Sequence, residues 1–146
     1  KPVVISVKKK DVTSSIEQDV VTCRNSDKYD TLVELLSKDE FTRVIIFGAM
    51  KHSVEKLSKQ LSASGVKAES IHGNKNHRQR QQSLQNFKEG RAKILVATDV
   101  ASRGIHVDDV SHVINYDLPG TFEDYVHRIG RTGRGNKRGK ALTFVS

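Results

Sequence analysis

The sequence predicts an α/β domain: a mainly parallel sheet with helices on both faces. Three observations predict it. Short continuous apolar runs in strong β-formers recur along the chain, as strands buried on both faces do. Apolar residues at helical spacing lie between them. The two kinds of segment alternate, which is the pattern of parallel strands joined by crossover helices. At 146 residues the chain suits one domain with a sizeable core.

The elements follow in chain order. Residues 1–10 read as a linker, with Pro2 followed by the lysine run Lys8, Lys9 and Lys10; the domain boundary is set at residues 1–15 for linker and lead-in and 16–146 for the folded unit. Residues 20–23 form a short candidate strand. Tyr29, Leu32, Val33 and Leu36 fall at i, i+3, i+4 and i+7, one face of a helix. Residues 43–49 (RVIIFGA) are a continuous apolar strand. Val54, Leu57 and Leu61 repeat at helical spacing, and Gly65 stands where that helix stops. Residues 68–72 are a second short strand, and Gly90 marks the end of the helix after it. Residues 93–98 (KILVAT) and 112–116 (HVINY) again read as buried strands. Pro119 and Gly120 break the chain before a helix that carries Phe122, Tyr125, Val126 and Ile129, with Thr121 and Asp124 at capping-box spacing. Residues 141–145 are the last strand. The chain starts without Met and stops at the end of a strand, so it reads as a piece of something longer.

Composition narrows the class. The formal net charge is +8, hydrophobic residues make up 36% and charged residues 29%, which excludes a low-complexity tail, a membrane span and a disulfide mini-protein. A single cysteine, Cys23, excludes an intrachain disulfide and a multi-cysteine zinc site. With no signal peptide and no long apolar run, the expectation is a cytoplasmic, membrane-free, monomeric domain. Residues 125–146 contain no Asp or Glu and carry six of the positive charges; five of the ten glycines also lie from Gly120 onward. An Arg/Gly-rich end on an otherwise balanced domain points to a polyanion, nucleic acid or nucleotide phosphate.

Self-sufficient nucleotide hydrolysis is excluded by what is missing. No G-x-x-x-x-G-K-[ST] follows the first strand, no G-x-G-x-x-G occurs, and no apolar strand ends in paired acids. Nothing of the P-loop kind cradles a β-phosphate or holds Mg²⁺. A histidine metal site on His106 and His112 lacks further ligands at recognisable spacing, and no metal is expected.

Two stretches carry the chemistry. In residues 125–134 (YVHRIGRTGR), Arg128, Arg131 and Arg134 recur every third residue. If the helix persists they share one stripe; if Gly130 ends it, Arg131 and Arg134 project from a loosened turn. Either way guanidinium forks are offered with little bulk around them, as charge developing on a γ-phosphate requires. In residues 97–107 (ATDVASRGIHV) a buried strand ends at Thr98, which can bond a nucleic-acid phosphate. Arg103, followed by Gly104, can pair with a carboxylate on a partner; the alternative is a plain strand-to-helix turn with Asp99 as a local cap.

These stretches resemble a known family. ATDVASRGI, then VINYDLP and YVHRIGRTGR, are similar to motifs V and VI of the DEAD-box RNA helicases of superfamily 2. VIIFGAM resembles motif IV, and Ile71-His72-Gly73 through Arg80 resembles the HG-x-x-x-Q-x-x-R segment. The resemblance covers nearly the whole chain. It implies a RecA-like three-layer domain, the second of two that clamp ATP between them and share a single-stranded RNA track. It also implies that the Mg²⁺ site and the phosphate cradle belong to the absent N-terminal RecA-like half. By resemblance, Arg131 and Arg134 are arginine fingers and Arg103 bridges to the acidic motif of the other half. Gly104 and His106 lie at the nucleotide. Thr98, Gly73, Arg80 and Arg128 lie on the RNA path, and Arg128 and His127 support the contact between the two halves. The implied activity is that of an ATP-dependent RNA helicase in the complete protein, the chain alone being inactive; the alternative is a basic module that only docks RNA or protein.

The sequence leaves the family pattern at three places. Met50 stands where motif IV often has Thr or Ser, His77 where the family has Gln, and His106 where it has Asp. Asp108 and Asp109 lie near the last of these. His72, His52 and Cys23 are read as structural or surface residues.

Overall fold

A computed structural model of the chain describes residues 3–6, 16–103, 105, 107, 109–132 and 139–146. The elements are β1 (Val3–Ser6), β2 (Ile16–Thr22), α1 (Lys28–Leu36), β3 (Val44–Phe47), α2 (Lys51–Ala63), β4 (Ala68–Ile71), α3 (His77–Lys88), β5 (Ile94–Ala97), α4 (Asp99–Ser102), β6 (His112–Asn115), α5 (Phe122–Ile129) and β7 (Gly139–Val145). They form one sheet in the order β1-β2-β7-β6-β3-β5-β4. The six strands from β2 to β4 are parallel, and β1 is added antiparallel to β2 at the edge.

The central strands are buried on both faces, as their unbroken apolar runs predict. Every residue of β3, β5 and β6 is buried. Successive side chains point to opposite faces. Val44 and Ile46 therefore join Leu32, Leu36, Leu57 and Leu61 under α1 and α2, while Ile45 and Phe47 join Phe87 and Val107 on the side of α3. The second face continues under α5, where Ile129 packs on Ile16 and Ala141. Each fully buried side chain of this kind contributes about 1.5–3 kcal/mol relative to exposure.

Local signals set the helix limits. Gly65 and Gly90 take positive φ (89° and 80°) just past α2 and α3, the left-handed stop that only glycine adopts without strain. Thr121 caps α5, its Oγ1 accepting from the Asp124 amide at 3.0 Å. A reciprocal box of Asn76 and Gln79 opens α3.

Two boundaries differ from expectation. The segment expected to be a linker contains β1. The strand expected over residues 20–23 begins at Ile16, because the ladder to β7 runs residue for residue from Ile16 opposite Gly139 to Thr22 opposite Val145. Polar residues in its first half hide this strand from a hydrophobic pattern. Gln18 is nonetheless buried, its Oε1 accepting the Tyr125 hydroxyl at 2.6 Å.

Candidate functional site

Parallel strands deliver their following segments to one edge of the sheet, where ligands of open α/β sheets bind. Here β6, β3, β5 and β4 are consecutive neighbours. The residues after them therefore stand side by side: Tyr116 and Asp117, then Gly48 to Met50, then Thr98 and Asp99, then His72 and Gly73.

Two glycines on this edge have different reasons for being there. A Cβ on Gly48 would stand 2.9 Å from Val54 Cγ2, so β3 and α2 need its small size. A Cβ on Gly73 would meet no described heavy atom within 4 Å, and its φ is not in the left-handed region. Nothing among the described residues demands glycine at residue 73. It leaves the backbone open to close approach from outside.

At the end of β4, where Ile71 lines it, a groove of about 420 Å³ separates α3 from α4. Arg80, Arg103, His77 and Lys88 line it over a floor that includes Leu84 and Ile105, and its described lining holds no acid. Arg80 is anchored by its Nε, which donates to the Lys75 carbonyl at 3.0 Å. Arg103 is exposed. Thr98 is half-buried; its amide donates to the Ile71 carbonyl at 3.2 Å, and its side chain makes no capping bond to α4. Arg131 lies just past α5, and its Nη1 donates to the Ile105 carbonyl at 2.8 Å. The segment that carries Arg103 thus also holds Arg131. Gly104, His106, Asp108 and Arg134 lie outside the described residues.

Arg128 is the correction. It was expected on the RNA path, but its side chain is 1% exposed. Its Nε and Nη2 donate to the two oxygens of Asp99 at 2.6 and 2.8 Å, a bidentate pair. Its Nη1 donates to Asn115 Oδ1 at 3.2 Å and to the Asp117 carbonyl at 2.6 Å. Its guanidinium also lies over the Phe47 ring, 5.2 Å from the centroid. With four of its five N–H donors committed inside the protein and its side chain sealed from solvent, this cation is not presented to a phosphate. Asp99 is likewise no helix cap, since its carboxylate is committed to Arg128.

The partners of Arg128 were missed in the sequence. One signal was present, a polar Asn115 inside an otherwise apolar strand. Asn115 Nδ2 donates to Thr143 Oγ1 at 3.0 Å, tying β6 to β7. Asp117 accepts from the Ala49 amide at 2.8 Å and from Lys28 Nζ at 3.2 Å. Lys28 also lies 4.2 Å from the Tyr116 ring centroid. Burial, with the Asp117 charge adding to it, pushes the Tyr116 hydroxyl up to about 12. Of the departures noted in the sequence, Met50 is 62% exposed on this edge and His77 opens α3 at the groove. Among the described residues no group of three or more His, Cys, Asp or Glu could hold a metal ion, and no helix is long and apolar enough to cross a membrane.

Known proteins resemble this chain in sequence and in fold. The helicase conserved C-terminal domain family matches residues 27–136. The ATP-dependent RNA helicase CshA of Listeria monocytogenes is 46% identical over 145 residues, covering 99% of this chain and 28% of the relative. The DEAD-box ATP-dependent RNA helicase CshA of Bacillus subtilis is 44% identical over 143 residues, covering 97% of this chain and 29% of the relative. The chain therefore spans less than a third of the length of these relatives. Among solved structures, a DEAD box protein from the hyperthermophile Methanococcus jannaschii superposes with a TM-score of 0.84 at 40% identity, covering 90% of this chain and 36% of that one. The E. coli DEAD-box protein SrmB, bound to regulator of ribonuclease activity A, gives 0.82 at 36% identity over 94% of this chain and 79% of that one. Saccharomyces cerevisiae Dbp5 bound to RNA and ADP BeF3 gives 0.78 at 36% identity over 93% and 36%. On matches that extend through the strand-end segments just described, the chain belongs to the DEAD-box RNA helicases, as the RecA-like C-terminal domain of that family.

Proposed function

We propose that this chain supplies one wall of an interdomain ATP site and half of an RNA track in an ATP-dependent RNA helicase. In this reading Arg131 and Arg134 are the arginine fingers, and Arg103 pairs with the acidic motif of an N-terminal RecA-like domain of the same protein. Gly104 and His106 face the nucleotide. Thr98, Gly73 and Arg80 hold the RNA backbone, through phosphates and sugars rather than base edges. ATP is the substrate whose terminal phosphoanhydride is cleaved, and Mg²⁺ belongs to the N-terminal half. The cytoplasm is the compartment that suits a protein of this kind with a single cysteine.

The observation that carries the reading is the bond from Arg131 to the Ile105 carbonyl, which brings Arg131 to the segment that carries Arg103. The open backbone at Gly73 supports the RNA side. An arginine finger acts on charge that develops in the transition state, so its loss removes turnover rather than substrate binding. The test is RNA-stimulated ATP turnover by the complete protein. Arg131→Ala is expected to lower it about 10³-fold while RNA binding without nucleotide is retained. Arg131→Lys rescues poorly, because an ammonium lacks the planar fork. Near-normal turnover in Arg131→Ala would instead favour a module that only docks RNA or protein.

A further inference from the structure

His72 has two ring nitrogens, and the fold uses both. Its side chain is 7% exposed, packed where the end of β4 meets α2 and the turn into α3. The Asn74 amide donates to Nδ1 at 3.2 Å. A nitrogen that accepts carries no hydrogen, so the proton of the neutral ring is on Nε2. Nε2 in turn donates to Glu55 Oε1 at 2.8 Å, and the same oxygen accepts the Ser70 hydroxyl at 2.7 Å. Burial pushes the Glu55 carboxyl up, but the hydrogen bonds from His72 and Ser70, with the Lys75 charge, outweigh it and hold the group below its usual range. Glu55 is thus an ionised acceptor that selects the tautomer.

The rest of the turn is gripped in the same way. Lys75 Nζ donates inward to the Ser70 carbonyl at 2.6 Å and to Ser83 Oγ at 3.0 Å. The Lys75 carbonyl accepts from Arg80 Nε. Gly73, the one residue here whose smallness the fold does not require, lies between His72 and these anchors.

We propose that His72, held as its Nε2–H tautomer by Glu55, is a positioning residue that presents the Gly73 backbone to RNA. The inference rests on the RNA reading of Gly73 given above. It makes a chemical demand that a space-filling histidine would not. The acceptor at Nδ1 is what fixes the turn, and the donor at Nε2 only orients the ring. Glu55 is itself held from α2, where Lys59 Nζ lies 3.6 Å from its Oε2.

Asn and Gln separate the two nitrogens. Asn places an amide oxygen where Nδ1 stands, whereas Gln places an amide nitrogen where Nε2 stands. The experiment measures the affinity of the complete protein for a fluorescein-labelled single-stranded oligouridylate in the presence of a non-hydrolysable ATP analogue. His72→Asn should bind within about threefold of the unaltered protein, and His72→Gln about tenfold more weakly, as for loss of one net hydrogen bond. Equal affinities in His72→Gln and the unaltered protein would overturn the inference. Should either variant fail to fold, the unaltered protein decides the matter through long-range ¹H–¹⁵N spectra of its imidazoles. The Nε2–H tautomer of His72, with an Asn74 amide that shifts on adding the oligouridylate, is expected. The Nδ1–H tautomer, or an Asn74 amide indifferent to RNA, would overturn it. If the unaltered protein binds no RNA, the RNA reading itself fails and takes this inference with it, an outcome distinct from a binding protein in which Gln substitutes freely.

Discussion

Arg128 and Arg103 carry the same guanidinium on the same edge of the sheet, and the fold treats them in opposite ways. Arg128 is sealed, with four hydrogen bonds to Asp99, Asn115 and the Asp117 carbonyl. Arg103 stands exposed at the mouth of a groove that also holds Arg80. The difference teaches that a basic cluster in a sequence mixes two populations. One kind of arginine is bound into the protein and joins strand ends into a rigid platform. The other kind stays exposed at the surface. Arg131 stands between them, half-buried and tethered at Ile105.

The largest effect on stability is expected from breaking the sealed member. Arg128→Ala leaves the Asp99 carboxylate without its cation and strips partners from Asn115 and the Asp117 carbonyl. Removing one member of a buried pair costs about 3–5 kcal/mol. Urea unfolding of the chain should show that loss. A variant within about 0.5 kcal/mol of the parent would mean that Arg128 is not the keystone of the platform.

A second sealed polar group lies at the opposite end of β6. His112 is 4% exposed and stacks on Phe41 with ring centroids 3.7 Å apart. Burial pushes its imidazole down to about 4, with the Lys140 charge adding to the effect. The neutral ring is therefore favoured by the folded state. Above about pH 6.5 neither state holds the proton, and stability is independent of this group. Between about 6.5 and 4 the unfolded chain binds a proton that the folded chain refuses, so stability falls with pH by up to about 1.4 kcal/mol per unit. Below about 4 the loss is complete. Unfolding curves across this range, compared with those of His112→Phe, should show a flatter profile in the variant.

The two edge glycines sharpen the comparison further. Gly48→Ala pushes a methyl against Val54 and should cost about 1–3 kcal/mol, as overpacking does. Gly73→Ala should stay within about 0.5 kcal/mol of the parent in unfolding, since its Cβ enters open space. The same substitution is expected to weaken RNA binding by the complete protein. A destabilised Gly73→Ala with unchanged RNA affinity would move Gly73 from the open population to the sealed one.

The sequence by itself determined the sheet and its helices. Both-face burial demands unbroken apolar runs, so β3, β5 and β6 were legible from hydropathy alone, and α1, α2 and α5 from apolar spacing. Gly65 and Gly90 announced their positive φ because few other residues accept that conformation. The strand-end segments were legible as neighbours on one edge of the sheet, since parallel topology leaves no other place for them. What tertiary structure alone decided was the fate of the polar residues. The first half of β2 is polar, and only its ladder to β7 makes it a strand. Asp99 looked like a cap and Arg128 like an RNA contact because nothing local distinguishes a charge that will be buried from one that will not. Their pairing spans 29 positions of sequence. Desolvation by Phe47 and by the neighbouring strand ends exists only once β3, β5 and β6 lie side by side. Hydrophobic periodicity is a local property and can be read along the chain. Which ion pairs are sealed and which donors stay open depends on distances between segments that the chain brings together only by folding.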